Sequence, residues 1–391
     1  MRHFLQLDAR DLGRLFFRAP TDFTRDAPAE TLAAALGATL YMPATRPALA
    51  DDLIKQGAAG VVSSVICLED SIADADLPVA HANVVAQLRE VARRGGRSDP
   101  RLPLTFVRVR HPEQIHSVIA ALGADADLLS GFVLPKFTPA SGVGYLQALD
   151  AARAETGLAL WAMPVLESPE IIHAETRLAT LLGIRDLLAA YRSMVLAVRV
   201  GATDLAAVYG VRRGRDLTVY DVRLVADAII GIVNVLGRAD GTGYAVTGPV
   251  WEYFPSSDRI FKTQLRQSPF EEHDARRLRQ EILTRDLDGL IREVALDKAN
   301  GLTGKTVIHP THVAAVHALS VVTHEELSDA YDIVASGREG GGARASAYRN
   351  KMNEGKPHHA WALRTLRRAE VFGVAAEEVG FVDLLTAGLR V

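Results

Sequence analysis

What the 391-residue chain lacks limits it before anything it contains. It has one cysteine, Cys67, so no disulfide can form within the chain, which fits a reducing compartment. No apolar run approaches the roughly 20 residues of a membrane span. The opening MRHFLQLDARDLGR carries Asp8 and Asp11 and has no apolar stretch of a secretory signal. A formal net charge of −3 exerts no general pull on nucleic acid or anionic lipid. A cytoplasmic protein is expected, with neither nucleic acid nor membrane as partner. Familiar catalytic motifs are missing as well. There is no GxSxG nucleophile turn, and Cys67 sits mid-strand, where it reads as core. GLTGKT (301–306) ends like a phosphate-binding loop, but its first glycine is misplaced and GKT leads into a strand. HPTH (309–312) and His358-His359 lack the spacing or the companions of a zinc site. A covalent-nucleophile hydrolase has no support.

What is present is ordinary globular composition, 48% hydrophobic and 23% charged, organised as a repeat of short apolar runs and helical patterns. After an arm over residues 1–37 the runs are ATLYMPA (38–44), VVSSVICL (61–68), LTFVRVR (104–110), GFVLPK (131–136), LALWAMPVL (158–166), VLAVRVG (195–201), GYAVTGP (243–249) and KTVIHP (305–310). Amphipathic stretches such as 144–157 and 220–237 lie between them. Continuous apolar strands imply a sheet covered on both faces, hence parallel. Eight βα units over residues 38–320 match an α/β fold of the (β/α)8 barrel type; a doubly wound open sheet is the competitor. An extra segment, WEYFPSSDRIFKTQLRQSPF, follows the seventh run. Residues 321–391 read as a C-terminal helical lid or oligomerisation segment. They open with Thr323 as N-cap and Glu326 three residues on, and close with a helix from about Trp361. Between Arg344 and Arg368 stand seven Lys/Arg and one acid, Glu354, which suits closure over an anion or a solvated contact surface.

In such barrels the βα loops converge at the C-terminal ends of the strands. The polar residues there are Arg46, Glu69 with Asp70, Arg108 and Arg110, Lys136, Glu167, Asp204, Glu252 and His309, one group per strand. That density exceeds what packing needs and suits a metal with an anionic substrate. Glu167 and Asp204 follow neighbouring strands about 4.8 Å apart, so both carboxylates can reach one cation. With no His or Cys nearby the ion would be hard, Mg²⁺ before Zn²⁺. Each also has a plain reading, Glu167 beside the helix start Ser168-Pro169 and Asp204 as an N-cap. Arg108 alternates with Val107 and Val109, so it points into the barrel. Its fork needs a carboxylate, either Glu69 or one on a substrate. Arg46 is placed for a second anionic group or for solvent. Alternation sends Glu69 and Asp70 to different sides, so the two acids are expected to divide their roles.

The stretches MPATRP, CLEDSI, FVRVR, GFVLPK, PVLESP, GATDL and GKTVIHPTHV occur in this order over residues 39–320. In that order they resemble the HpcH/HpaI aldolase and citrate lyase β-subunit superfamily, the malyl-CoA lyases included. The arm, the insertion after the seventh strand and the GKPHHAWALRTLRRAEVFGV tail resemble a divergent branch of C–C bond lyases found with tellurite-resistance and stress-response genes. The resemblance implies Mg²⁺ at Glu167 and Asp204, a 2-oxo acid carboxylate gripped by Arg108, and Glu69 and Asp70 as the acids beside the metal. It implies Arg46 and Lys136 at the anionic or CoA end of the substrate. The chain departs from the family at Arg110, where asparagine is usual, and at KMNEGKPHH, where Asn353 and Glu354 replace the lid aspartate. The activity implied is a Mg²⁺-dependent carbon–carbon lyase on a carboxylate-bearing 2-oxo or 2-hydroxy acid or its acyl-CoA adduct, in a homo-oligomer, trimer or hexamer. The alternatives are a biosynthetic aldolase on a phosphate- or nucleotide-linked substrate and a non-catalytic binding subunit.

Overall fold

The computed structural model describes residues 1–254, 287–338 and 340–389; most of the extra segment after the seventh apolar run, residues 255–270, lies outside them. Each of the eight apolar runs coincides with a strand, the fourth strand starting two residues ahead of its run. They are β1 (Ala38–Pro43), β2 (Ser63–Cys67), β3 (Leu104–Arg108), β4 (Leu129–Leu134), β5 (Trp161–Leu166), β6 (Ala197–Val200), β7 (Ala245–Thr247) and β8 (Lys305–Val307). Consecutive strands pair in parallel from β1 to β7, and β8 pairs with β1, Thr39 opposite Thr306. A single parallel bridge, Gly248 to Lys305, joins β7 to β8, with the Thr306 N–H donating to the Gly248 carbonyl at 3.0 Å. The sheet therefore closes into a barrel, which removes the open-sheet alternative. Gly248 is needed at this closure, because a Cβ there would stand 2.5 Å from Asp297 Oδ2.

Alternation sorts the side chains. Leu40, Met42, Ile66, Val107, Phe132, Leu134 and Val198 face outward into one apolar cluster with the surrounding helices. Val65, Phe106, Val133, Met163, Val165 and Ala197 face inward and fill the barrel in another. Each such burial is worth about 1.5–3 kcal/mol for a large side chain, so both faces demand apolar residues and the runs are continuous. The connecting helices carry their own punctuation. In Pro139–Thr156, Thr138 and Ser141 form a capping box and Gly157 ends the helix at φ +71°.

The N-terminal arm forms the helix Ala9–Leu15, the short strand Phe16–Arg18 and the helix Ala29–Ala35. Leu32 and Leu36 pack with Val62 and Leu104 at the N-terminal end of the barrel, joined by Val371 and Phe372 from the helix His359–Phe372. Arg367 pairs with Glu30, and Phe16–Arg18 forms an antiparallel ribbon with Val374–Ala375. Thr323 and Glu326 make the expected reciprocal cap at the start of His324–Arg338. The C-terminal segment is thus anchored on the arm, at the end of the barrel away from the strand C-termini. No described helix is long and apolar enough to cross a membrane.

Candidate active site

The end of β3 supplies the centre of the site. Arg108, its last residue, turns inward as alternation requires, and its Nη2 meets Glu69 Oε2 at 2.7 Å, Glu167 Oε1 at 2.9 Å and Asp70 Oδ2 at 3.4 Å. Lys136, two residues past β4, pairs through Nζ with Glu69 and with Asp70 Oδ1 at 3.1 Å. Its backbone N–H donates to Glu167 Oε1 at 2.9 Å. Lys136 holds φ +46°, the left-handed region that a lysine enters only under constraint, and this aims its N–H at the carboxylate. Glu69 is 3% exposed, whereas the side chain of Asp70 is half exposed. The strand ends at Cys67 and the chain turns there, with the Ile72 N–H donating to the Glu69 carbonyl. Two adjacent acids therefore differ in burial yet share Lys136 and Arg108.

Glu167 follows β5 and Asp204 lies in the short helix Ala202–Ala207 after β6, close enough for each carboxylate to act on the other's ionisation. Neither is a helix cap: Gly201 holds the cap position before Asp204, and Ser168 does before Pro169. Burial, together with repulsion from Asp204 and Glu69, pushes Glu167 up to about 7, although Arg108 and the Lys136 N–H pull the other way. Burial and repulsion from Asp70 raise Asp204 as well. Glu69 is raised by burial and by its contact with Asp70. Asp70, despite the cost of burial, is held low by Glu69, Arg108 and Lys136. Burial opposes the charges on Arg108 and Lys136, but their acidic partners outweigh it and hold both pKa values above the ordinary ones.

This geometry fits a hard cation. Glu167 Oε1 is engaged by Arg108 and Lys136, leaving Oε2, which lies over Gly201, together with the Asp204 carboxyl. Two crowded carboxylates whose charged forms are penalised are relieved by a cation. Among the described residues no group of three or more His, Cys, Asp or Glu could hold a metal ion, so solvent or substrate oxygens would have to complete the two carboxylates. Such an open, oxygen-only set suits Mg²⁺, which keeps several solvent or substrate ligands.

The remaining strand-end residues make contacts of their own. Arg46 is exposed, donates to Asp52 Oδ2 at 2.6 Å and makes no hydrogen bond to the acid cluster. Arg110 donates to Asp74 and to the Glu69 carbonyl, tying down the β2 loop. Glu252 accepts from Thr203 and Arg213, bracing the loop that carries Asp204. His309 stacks on Phe254 and bonds Thr311. Asn353 donates to Asp329 and the Glu354 N–H to His358, both in the C-terminal segment. Two inward residues were not singled out from sequence, Tyr41 on β1 and Arg199 on β6. Their signal was the same as that of Arg108, a polar side chain at inward parity inside an apolar run.

A family model described as C–C bond lyase of the TIM-barrel fold matches residues 30–374. No curated protein sequence matches the chain. Among solved structures, a citrate lyase from Burkholderia xenovorans LB400 is 17% identical with a TM-score of 0.60, the match covering 90% of this chain and 96% of that one. The protein CitE from Mycobacterium tuberculosis, in complex with magnesium, acetoacetate and coenzyme A, is 20% identical with a TM-score of 0.52, covering 86% and 99%. At these identities the likeness is one of fold.

Proposed function

The chain belongs to the C–C bond lyase family of the TIM-barrel fold, and on that footing we propose that it is a Mg²⁺-dependent lyase. The bond cleaved, by retro-aldol or retro-Claisen chemistry, lies in a 2-oxo or 2-hydroxy acid or its acyl-CoA adduct. The observation that carries this reading is the state of Arg108. All three of its carboxylate contacts fall on Nη2, while Nε is buried without a partner among the described residues. A guanidinium fixed by Glu69 and Glu167 and still partly exposed beside them is suited to hold one more carboxylate.

Arg108 then orients the substrate carboxylate beside Glu167 and Asp204. A divalent cation held by those two acids would supply the Lewis acidity that favours negative charge on the adjacent oxygen. Of the acidic pair, Glu69 is the one kept protonatable and accepts the substrate hydroxyl proton; Asp70 stays charged and holds Lys136. The ammonium of Lys136, about half exposed, faces the anionic remainder of the substrate. An acyl-CoA adduct is included because the structurally similar CitE is complexed with magnesium, acetoacetate and coenzyme A.

Titration calorimetry with oxaloacetate tests the reading. Binding is expected only when Mg²⁺ is present, and Glu167→Ala is expected to abolish it. No Mg²⁺-dependent binding in the wild type, or unchanged binding in Glu167→Ala, contradicts it.

A further inference from the structure

The acid that follows β6 stands on a short support. Asp204 lies in the first turn of the six-residue helix Ala202–Ala207, whose cap position is held by Gly201 with no side-chain hydrogen bond. A helix of that length does not hold itself, because fixing the first turn costs more backbone freedom than its few hydrogen bonds return. Its buried residues are Ala202 and Leu205. Two apolar anchors three residues apart fix one face of the helix, and the uncapped turn that carries Asp204 needs a further hold.

That hold comes from the loop after β7. Thr203, the residue before Asp204, donates through Oγ1 to Glu252 Oε1 at 3.1 Å. The other oxygen of Glu252 accepts from Arg213 Nε at 3.3 Å. Arg213 is buried, and four consecutive residues of the β7 loop close on it. The Val250 carbonyl accepts from Nη2 at 2.5 Å, and the centroid of the Trp251 ring lies 4.9 Å from the guanidinium carbon. Glu252 takes Nε, and the Tyr253 hydroxyl donates to the Arg213 carbonyl at 2.5 Å. Nη1 pairs with Glu293, which Lys305 and the Val219 N–H hold in turn. Each nitrogen of Arg213 therefore has an acceptor, and Glu293 alone matches its charge. Glu252 is a second acid, and its free oxygen goes to a threonine exposed to water. Such a bond adds little stability, because water would serve the hydroxyl as well. What it adds is position.

We propose that Glu252, clamped by Arg213, is the positioning residue that fixes Asp204 at the cation site by way of Thr203. The inference rests on the Mg²⁺-dependent lyase reading above and extends its cation site to a residue that does not touch the ion. Glu167 is fixed directly, by Arg108 and the Lys136 N–H. Asp204 is fixed through its neighbour in the chain. Mg²⁺ demands near-ideal octahedral geometry, and with two protein carboxylates a misplaced one has no substitute. Loss of the Thr203 contact therefore weakens the site without removing either acid.

Three substitutions test this. Thr203→Val removes the hydroxyl and keeps the shape, and Glu252→Met removes both acceptors. Calorimetry with oxaloacetate and Mg²⁺ is expected to show affinity about 10-fold or more below wild type in each, the usual cost of losing a residue that orients a metal ligand. The double variant should lose no more than Glu252→Met alone. Glu252→Gln should stay within about 3-fold of wild type, because its amide can accept from Arg213 and donate to the Thr203 hydroxyl. Without metal, deuterium exchange at the Leu205 amide, which donates to the Gly201 carbonyl at 3.2 Å, should quicken about 5-fold or more in Thr203→Val and Glu252→Met. Thr203→Val should melt within about 2 °C of wild type, so the lost affinity is not lost fold. Wild-type affinity or wild-type exchange in Thr203→Val overturns the proposal. So does a Glu252→Gln that loses as much as Glu252→Met, since Glu252 then acts by its charge at the cation. Either result, beside a wild type that binds oxaloacetate only with Mg²⁺, leaves the lyase reading standing. A wild type without Mg²⁺-dependent binding overturns that reading, and this proposal with it.

Discussion

A Cβ on Gly201 would stand 2.2 Å from Oε2 of Glu167, so the carboxylate occupies space that any other residue at 201 would need. The backbone at Gly201 has φ −98°, which alanine tolerates. Glycine is therefore required for room to place the acid and not for a turn. Gly201→Ala should keep the fold and its far-ultraviolet circular dichroism while displacing Glu167. Mg²⁺-dependent oxaloacetate affinity should fall at least about 10-fold, or 1.4 kcal/mol. Unaltered affinity by calorimetry would show that Glu167 Oε2 is not part of the cation site.

The raised pKa of Glu167 makes stability depend on pH. Its folded value, about 7, lies above the ordinary carboxylate value, so the fold favours the protonated form. The associated stability is complete below the ordinary value near 4.5 and is lost as pH rises through about 7. Glutamine mimics the protonated acid. Glu167→Gln should melt above the wild type at pH 8, with the gap closing toward pH 4. Added Mg²⁺ should raise the wild-type midpoint at pH 8 and leave the variant unmoved. Parallel melting curves for the two proteins across this range would contradict the assignment.

Arg108 serves three carboxylates through one nitrogen. Lysine retains the charge and loses the fork. Arg108→Lys should weaken oxaloacetate binding about 10- to 100-fold, in line with roughly 1.5–3 kcal/mol for a charge-assisted hydrogen bond. Mg²⁺ binding alone should change little. A Kd for oxaloacetate equal to that of the wild type would remove Arg108 from the substrate site.

At the opposite end of β8, Lys305 is fully buried, with Nζ 2.7 Å from Glu293 Oε1 and 2.6 Å from Asp297 Oδ2. The Val219 N–H and Arg213 also bind Glu293, and Tyr220 donates to Asp297 at 2.8 Å. This network fastens the helix Leu287–Ala299 to the barrel. Lys305→Met strands two buried acids and should cost about 3–5 kcal/mol in urea unfolding, the usual penalty for breaking a buried pair. A loss under about 1 kcal/mol would mean that the network relaxes freely.

Much of the site was legible in single residues. Arg108 between Val107 and Val109 announced its inward direction, and Glu167 and Asp204 at the ends of adjacent strands announced their proximity. The division of labour within Glu69-Asp70 was not legible, because strand parity stops being informative once the chain turns after Cys67. Arg110 stands among the strand-end residues with Arg108, and the structure shows it tying down a loop. At the rim of a barrel, the reach of a long side chain depends on the neighbouring loop, here the one carrying Asp74.

The sequence by itself determined the barrel, because continuous apolar runs separated by amphipathic helices bury both faces of a sheet only when it is parallel and covered. It also determined which residues stand at the strand ends. Only the tertiary structure decided how charge is balanced across the barrel. Closure brings β1, β3, β6 and β8 around one interior, so Arg108 finds Glu69 and Glu167 while Arg199 finds Thr39, Thr306 and Tyr41. One guanidinium is neutralised and the other is not. That difference depends on distances between residues far apart in the chain, which no local pattern encodes.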